Sequence, residues 1–165
     1  MPGPFQDKRQ EMPPKRKLVT NIRSEKATKL YNDLKNNKTG PTLSIIIDEI
    51  GEDGIILLSD ALKYNTSVQT LYVSGSKSRG EEIITIADAL HVNKSVQIFD
   101  IHSNYLGEKA VVAISRLLQV NESIQTLNIS HNAIPEGGAV AIVVALQVNR
   151  SLKTLNIGYN NIGDA

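Results

Sequence analysis

The chain has 165 residues, no cysteine, 41% hydrophobic residues and a net charge of +1. This composition excludes disulfides and thiol catalysis and suits one domain with a core, while no uninterrupted apolar run approaches the ~18 residues of a membrane span. The first ten residues, MPGPFQDKRQ, hold charges where a secretory signal needs its apolar stretch, so a cytoplasmic chain is expected.

The small total charge conceals two parts of opposite sign. Residues 1–40 hold 10 Lys and Arg against 4 Asp and Glu, whereas residues 41–165 hold 8 against 13. Within the basic part, residues 1–17 contain Pro2, Pro4, Pro13 and Pro14 and little that is apolar, the composition of a disordered tail. The cluster Lys15, Arg16, Lys17 is read first as part of a solvated tail, with a nuclear address or a weak phosphate or acidic-lipid contact as the functional alternatives. Neither a nucleic-acid nor a membrane partner is inferred from it.

Residues 18–41 form the next unit. A helix is predicted from Ser24 to Asn36, with Ser24 as its cap and Ala27, Leu30, Tyr31 and Leu34 along one face. Leu30, Leu34 and Asn37 lie 28 positions before Leu58, Leu62 and Asn65, so the helix is the second half of a repeat whose strand half has decayed. Lys26, Lys29, Asp33 and Lys35 give it the polar outer face of an amino-terminal cap.

From residue 42 onward the chain repeats itself every 28 positions, with copies starting at Thr42, Thr70, Ile98, Thr126 and Thr154. A fixed period in this range marks a solenoid. Each copy opens on alternating apolar residues, such as Leu127 and Ile129, which is the period of a strand. The period then changes to that of a helix, as in Gly138, Ala139, Ile142, Ala145 and Leu146. Neither element buries its apolar face alone, so copies stack strand on strand and helix on helix, and the sheet must be parallel. Strands lie about 4.8 Å apart and packed helices about 8–10 Å, so the stack bends with its helices outside. The expected fold is therefore an α/β horseshoe with a concave parallel sheet.

SLKTLNIGYNNIG and SIQTLNISHNAI follow the pattern L-x-x-L-x-L-x-x-N-x-L, and GAVAIVVALQVN fills the helical half. In these residues the chain resembles leucine-rich repeats of the ribonuclease-inhibitor subtype, over about three quarters of its length. Similar repeats occur in ribonuclease inhibitor, in the Ran GTPase-activating protein and in the sensor ends of NOD-like receptors. These proteins share a fold and not a function, so the resemblance implies architecture and a binding role.

Two asparagine columns recur at the same period. Asn65, Asn93, Asn121 and Asn149 close the helices, where a left-handed residue is expected to end each one. Asn104, Asn132 and Asn160 follow the strands, where an amide that donates and accepts can satisfy the turning backbone. Asp48 and Ser76 replace them in the first two full repeats, so those turns are expected to be less regular.

The turn at residues 74–82 departs furthest from the pattern, because Ser78 stands where Ile50, Leu106, Ile134 and Ile162 supply an apolar anchor. A mobile loop is expected there, read first as a decayed repeat, with contact of Lys77 and Arg79 to an acidic partner as the functional alternative. Its glycines and lysine lack the order of a phosphate-binding loop.

The outward strand residues supply the candidate site: Tyr72, Asp100, His102, Asn128, His131, Asn156 and Tyr159, which successive repeats bring to one concave face. Two histidines and one carboxylate do not complete a metal set or an acid–base pair, so no metal, cofactor or catalytic residue is assigned. Aromatic residues concentrate at the centres of protein interfaces, and a protein partner is the expected ligand. On the opposite face the column Ile56, Ile84, Val112 and Val140, widened by Val144, is predicted to form an apolar convex stripe.

The final copy stops at Ala165, which would leave Leu155, Ile157 and Ile162 without a following repeat. A longer solenoid, or an end-to-end contact with another molecule, is expected to cover them. The function that follows is a non-catalytic interaction scaffold. The alternatives are a GTPase-activating regulator resembling the Ran GTPase-activating protein, with Arg79 as its candidate loop arginine, and a fragment of a NOD-like receptor sensor.

Overall fold

The computed structural model describes residues 25–75 and 80–163. The tail at 1–17, the Ser24 cap and the loop residues Ser76, Lys77, Ser78 and Arg79 lie outside these residues. Strands β1 (Thr42–Ile46), β2 (Thr70–Ser74), β3 (Ile98–Asp100), β4 (Thr126–Asn128) and β5 (Thr154–Asn156) form one open parallel sheet in chain order. Each pairing is offset by one repeat: Leu43 faces Leu71, Leu71 faces Phe99, Phe99 faces Leu127 and Leu127 faces Leu155.

Helix α1 (Glu25–Lys35) packs on α2 (Ile47–Leu62), which is followed by α3 (Glu81–Leu90), α4 (Glu108–Val120) and α5 (Glu136–Val148), each against the next. Side-chain caps are absent from the start of α2, α3, α4 and α5. Instead Asp48 and Glu49, Glu81 and Glu82, Glu108, and Glu136 place negative charge in their first turns, where the helix dipole favours it. The fold is that of a leucine-rich-repeat solenoid, with strands on the inner face and helices on the outer.

One core runs the length of the stack. The strand columns through Leu71, Phe99 and Leu127, and through Val73, Ile101 and Ile129, meet the helix column Leu34, Leu62, Leu90 and Leu118; all are buried. Burial of each such side chain contributes about 1.5–3 kcal/mol against exposure. In the last repeat the equivalent side chains Leu155, Ile157 and Ile162 are only half-buried.

The first full repeat turns differently from the later ones. Strand β1 runs straight into α2, which is kinked at Gly51 with φ 75° and ψ 167°, a conformation that glycine adopts without steric cost. Asp48, which occupies the asparagine column here, sits in the first helical turn.

The asparagines that close the helices do not work as expected. Asn121 and Asn149 have φ of −78° and −63°, so they are extended and not left-handed. Of this column, Asn37 alone among the described residues has positive φ, at 52°. The others end their helices through their side chains. The Asn121 amide donates to the carbonyls of Leu90 at 2.8 Å and Asn93 at 3.1 Å, while its oxygen accepts from the N–H groups of Ser123 and Ile124. Asn93 and Asn149 repeat the arrangement. A side chain that binds the preceding repeat and the following turn at once removes any need for a left-handed backbone.

Candidate functional site

Alternation on the strands turns Tyr72, Asp100, Asn128 and Asn156 to the inner face, and the sheet register sets them side by side in one row. Three of the four hold their own backbone. The side-chain oxygens of Asp100, Asn128 and Asn156 accept from the N–H two residues on, in His102, Ser130 and Gly158, at 3.1, 3.2 and 3.2 Å. These are Asx turns, which bend the chain at the end of each strand.

Asp100 is the centre of a polar network. One carboxylate oxygen also accepts from Nδ1 of His102 at 2.7 Å, and the other accepts from the Asn128 amide at 3.0 Å. Burial by itself would raise the Asp100 carboxyl. The hydrogen bonds from the His102 ring, the His102 N–H and Asn128, with the charge on His102, outweigh it and hold the carboxyl below its ordinary range. Both oxygens are thus taken by the chain itself, and Asp100 fixes the orientation of His102, whose Nε2 points away from that bond. Asp100 therefore positions a neighbour and does not act as a free base.

His131 and Tyr159 form the second part of the site. Their rings stack at 4.2 Å between centroids with 10° between planes. Both residues have left-handed backbones, at φ 55° and 56°, and share that conformation with Gly75 and Ser103 in the same column. The N–H of His131 donates to the Gly158 carbonyl at 3.1 Å, so the sheet ladder holds this turn in place. Tyr159 is 82% exposed.

The structure therefore brings Asp100, His102 and Asn128 together by hydrogen bonds and His131 and Tyr159 by stacking, with Tyr72 and Asn156 in register at either end of the Asp100–Asn128 pair. The sequence reading missed Tyr105, an exposed aromatic at φ 52° in the turn after β3, and the exposed apolar Ile46 on the inner face. Lys77 and Arg79 fall outside the described residues.

On the helical face Ile56, Val140 and Val144 are about half exposed. Ile84 packs against the core and Val112 is half-buried, so the convex column is not an even stripe.

Comparison with known proteins agrees with this architecture. Residues 120–143 and 148–165 match the family model described as Leucine Rich repeat. The actin-binding site 2 domain of leiomodin-1 superposes with a TM-score of 0.71 at 22% identity, covering 78% of this chain and 77% of that one. A tropomodulin C-terminal domain from Caenorhabditis elegans superposes at 0.66 with 16% identity, covering 81% and 83%. No curated protein matches the chain by sequence.

Proposed function

We propose that this chain is a non-catalytic protein-interaction module whose partner docks on the concave face, across Tyr72, His102 and the stacked His131 and Tyr159. The observation that carries the reading is the Asp100 network, in which a carboxylate is spent on fixing an exposed imidazole. Side chains held in advance lose little freedom on binding, which favours affinity. An open sheet also suits an extended protein surface better than a small ligand, which needs an enclosing pocket. The 28-residue period supports the ribonuclease-inhibitor subtype, and the basic tail at 1–17 and the half repeat at 18–41 are read as extension and cap.

Actin is the first partner to test, because the leiomodin-1 domain of like fold is described as an actin-binding site. Co-sedimentation with filamentous actin, alongside an unbiased pull-down, is expected to recover a partner whose binding falls at least tenfold in Tyr72→Ala or His131→Ala, as for interface hot spots. Partners that bind both variants as tightly as the parent chain would overturn the concave site. Stimulated GTP hydrolysis by a small GTPase that disappears in Arg79→Ala would favour the regulator reading instead.

A further inference from the structure

The helix ends form a second surface. At or just past the end of four successive helices stand Tyr64, Val92, Val120 and Val148, spaced by 28 and exposed by 79, 56, 57 and 57%. The helix dipole favours cations at this position, yet the last turns of α2, α3, α4 and α5 hold no basic residue. Shallow grooves separate the rungs. One is lined by Tyr64, Val92 and Lys94, the next by Lys94, Val120 and Glu122, and the third by Val120, Val148 and Arg150.

Charge on this edge is opposite to that of the rest of the repeats. Lys63, Lys94, Arg150 and Lys153 are four of the 8 basic residues in 41–165, while Asp60, Asp88 and Glu122 are three of the 13 acidic ones. Lys63 is tied to Asp60 at 3.2 Å, whereas Arg150 donates to the carbonyls of Gln147 and Asn149 and Lys153 to the Gln125 side chain, neutral partners that leave their charge in place. Of the acids only Glu122 lines the grooves, so Lys94, Arg150 and Lys153 are the cations between and beside the outer rungs. The backbone here is already satisfied, since Asn93, Asn121 and Asn149 donate to carbonyls of the preceding repeat. An added strand would find no ladder to join. Recognition must therefore run through side chains.

We propose that this edge is a second docking surface, which binds an acidic amphipathic helix of a partner protein. Four rungs at helix-packing distances of about 8–10 Å span about 25–30 Å. A helix of about 18 residues is ~27 Å long and presents one apolar stripe along that length. Acidic residues flanking the stripe meet Lys94, Arg150 and Lys153.

Because the chain has no cysteine, Gln97→Cys gives a single site in the grooves for an environment-sensitive dye. The labelled protein is titrated with a synthetic helix of about 18 residues, leucine along one face and glutamate elsewhere, and with the same helix carrying lysine in place of glutamate. Saturable binding of the glutamate helix alone is expected, weakened at least tenfold by Val92→Asp with Val120→Asp and by Lys94→Glu with Arg150→Glu, and unchanged by Tyr72→Ala. Val92→Thr with Val120→Thr, a milder pair, is expected to weaken binding with an unchanged thermal melt. Equal binding of the two helices, no loss in these variants, or a response to phosphatidylserine vesicles in place of the glutamate helix would overturn the proposal. Loss of concave binding in Tyr72→Ala with this edge intact separates the two surfaces.

Discussion

The side-chain oxygen of Asn132 accepts a 2.6 Å hydrogen bond from the backbone N–H of Asn104, one repeat earlier. Its amide donates to the carbonyls of Ile101 at 2.9 Å and Ser130 at 3.1 Å, and the side chain is wholly buried. One residue thus satisfies three backbone groups where the strands turn. Each orphaned buried group costs about 1–3 kcal/mol, so Asn132→Ala is expected to lower stability by roughly 2–4 kcal/mol in urea unfolding. Asn132→Asp keeps the acceptor but sets a buried charge against two carbonyls. It is expected to be the worse variant at neutral pH and to recover in part when the carboxyl is protonated.

The hydroxyl of Ser59 makes the opposite case. It is buried in α2 and has no hydrogen-bond partner among the described residues. Two repeats of the same column show what fits here: Ala87 is fully buried at the equivalent place, and Ser115 finds the Val112 carbonyl at 3.1 Å. Ser59→Ala removes an unsatisfied group and improves helix propensity, so a gain of about 0.5–1 kcal/mol is expected in the same measurement. A loss would mean that the hydroxyl is satisfied after all.

The fold was legible because its signal is repeated: a period of 28 with apolar residues at fixed places defines strand, helix and stacking direction together. Side-chain chemistry was less legible. The helix-end asparagines were expected to be left-handed, since that is how asparagine ends an isolated helix. Stacking supplied the carbonyls of a neighbouring repeat, which no local rule contains. Asp100, Asn128 and Asn156 read as free because alternation faces them outward, yet Asx turns occupy their oxygens. The rungs Tyr64, Val92, Val120 and Val148 were visible as a 28-residue column, but helix-end positions beside a core column read as core until their exposure is known.

The Asp100 network carries a pH dependence of definite sign. Its carboxyl lies below the ordinary value of 3.8, so the folded state binds this proton less readily than the unfolded chain does. The resulting stability is present above the unfolded pKa and is lost as pH falls through the folded one. Asp100→Asn keeps the oxygen that accepts from His102 N–H, as Asn128 and Asn156 do in their repeats, but cannot lose a proton. Below about pH 5 the stability difference between parent and variant is expected to shrink as pH falls through the folded-state value of Asp100. Urea unfolding from about pH 5 downward checks it, and a difference that grows on acidification within that range would refute the assignment.

His131 tests whether the left-handed column serves binding. A non-glycine residue in that conformation costs roughly 1–2 kcal/mol, and Gly75 shows that glycine occupies the column in an earlier repeat. His131→Gly relieves the strain but also removes the Tyr159 stack and adds freedom to the unfolded chain, two losses of about 0.5–1.5 kcal/mol and about 1 kcal/mol. The net change is therefore expected to lie between a loss of about 1.5 kcal/mol and a gain of about 0.5 kcal/mol. Partner binding on the concave face is expected to fall at least tenfold, because the ring itself is gone. A side chain kept in a strained position for no gain in stability is one whose use lies outside the fold. If His131→Gly instead lowers stability by several kcal/mol while partner binding survives, the stack is part of the scaffold and the concave site must exclude it.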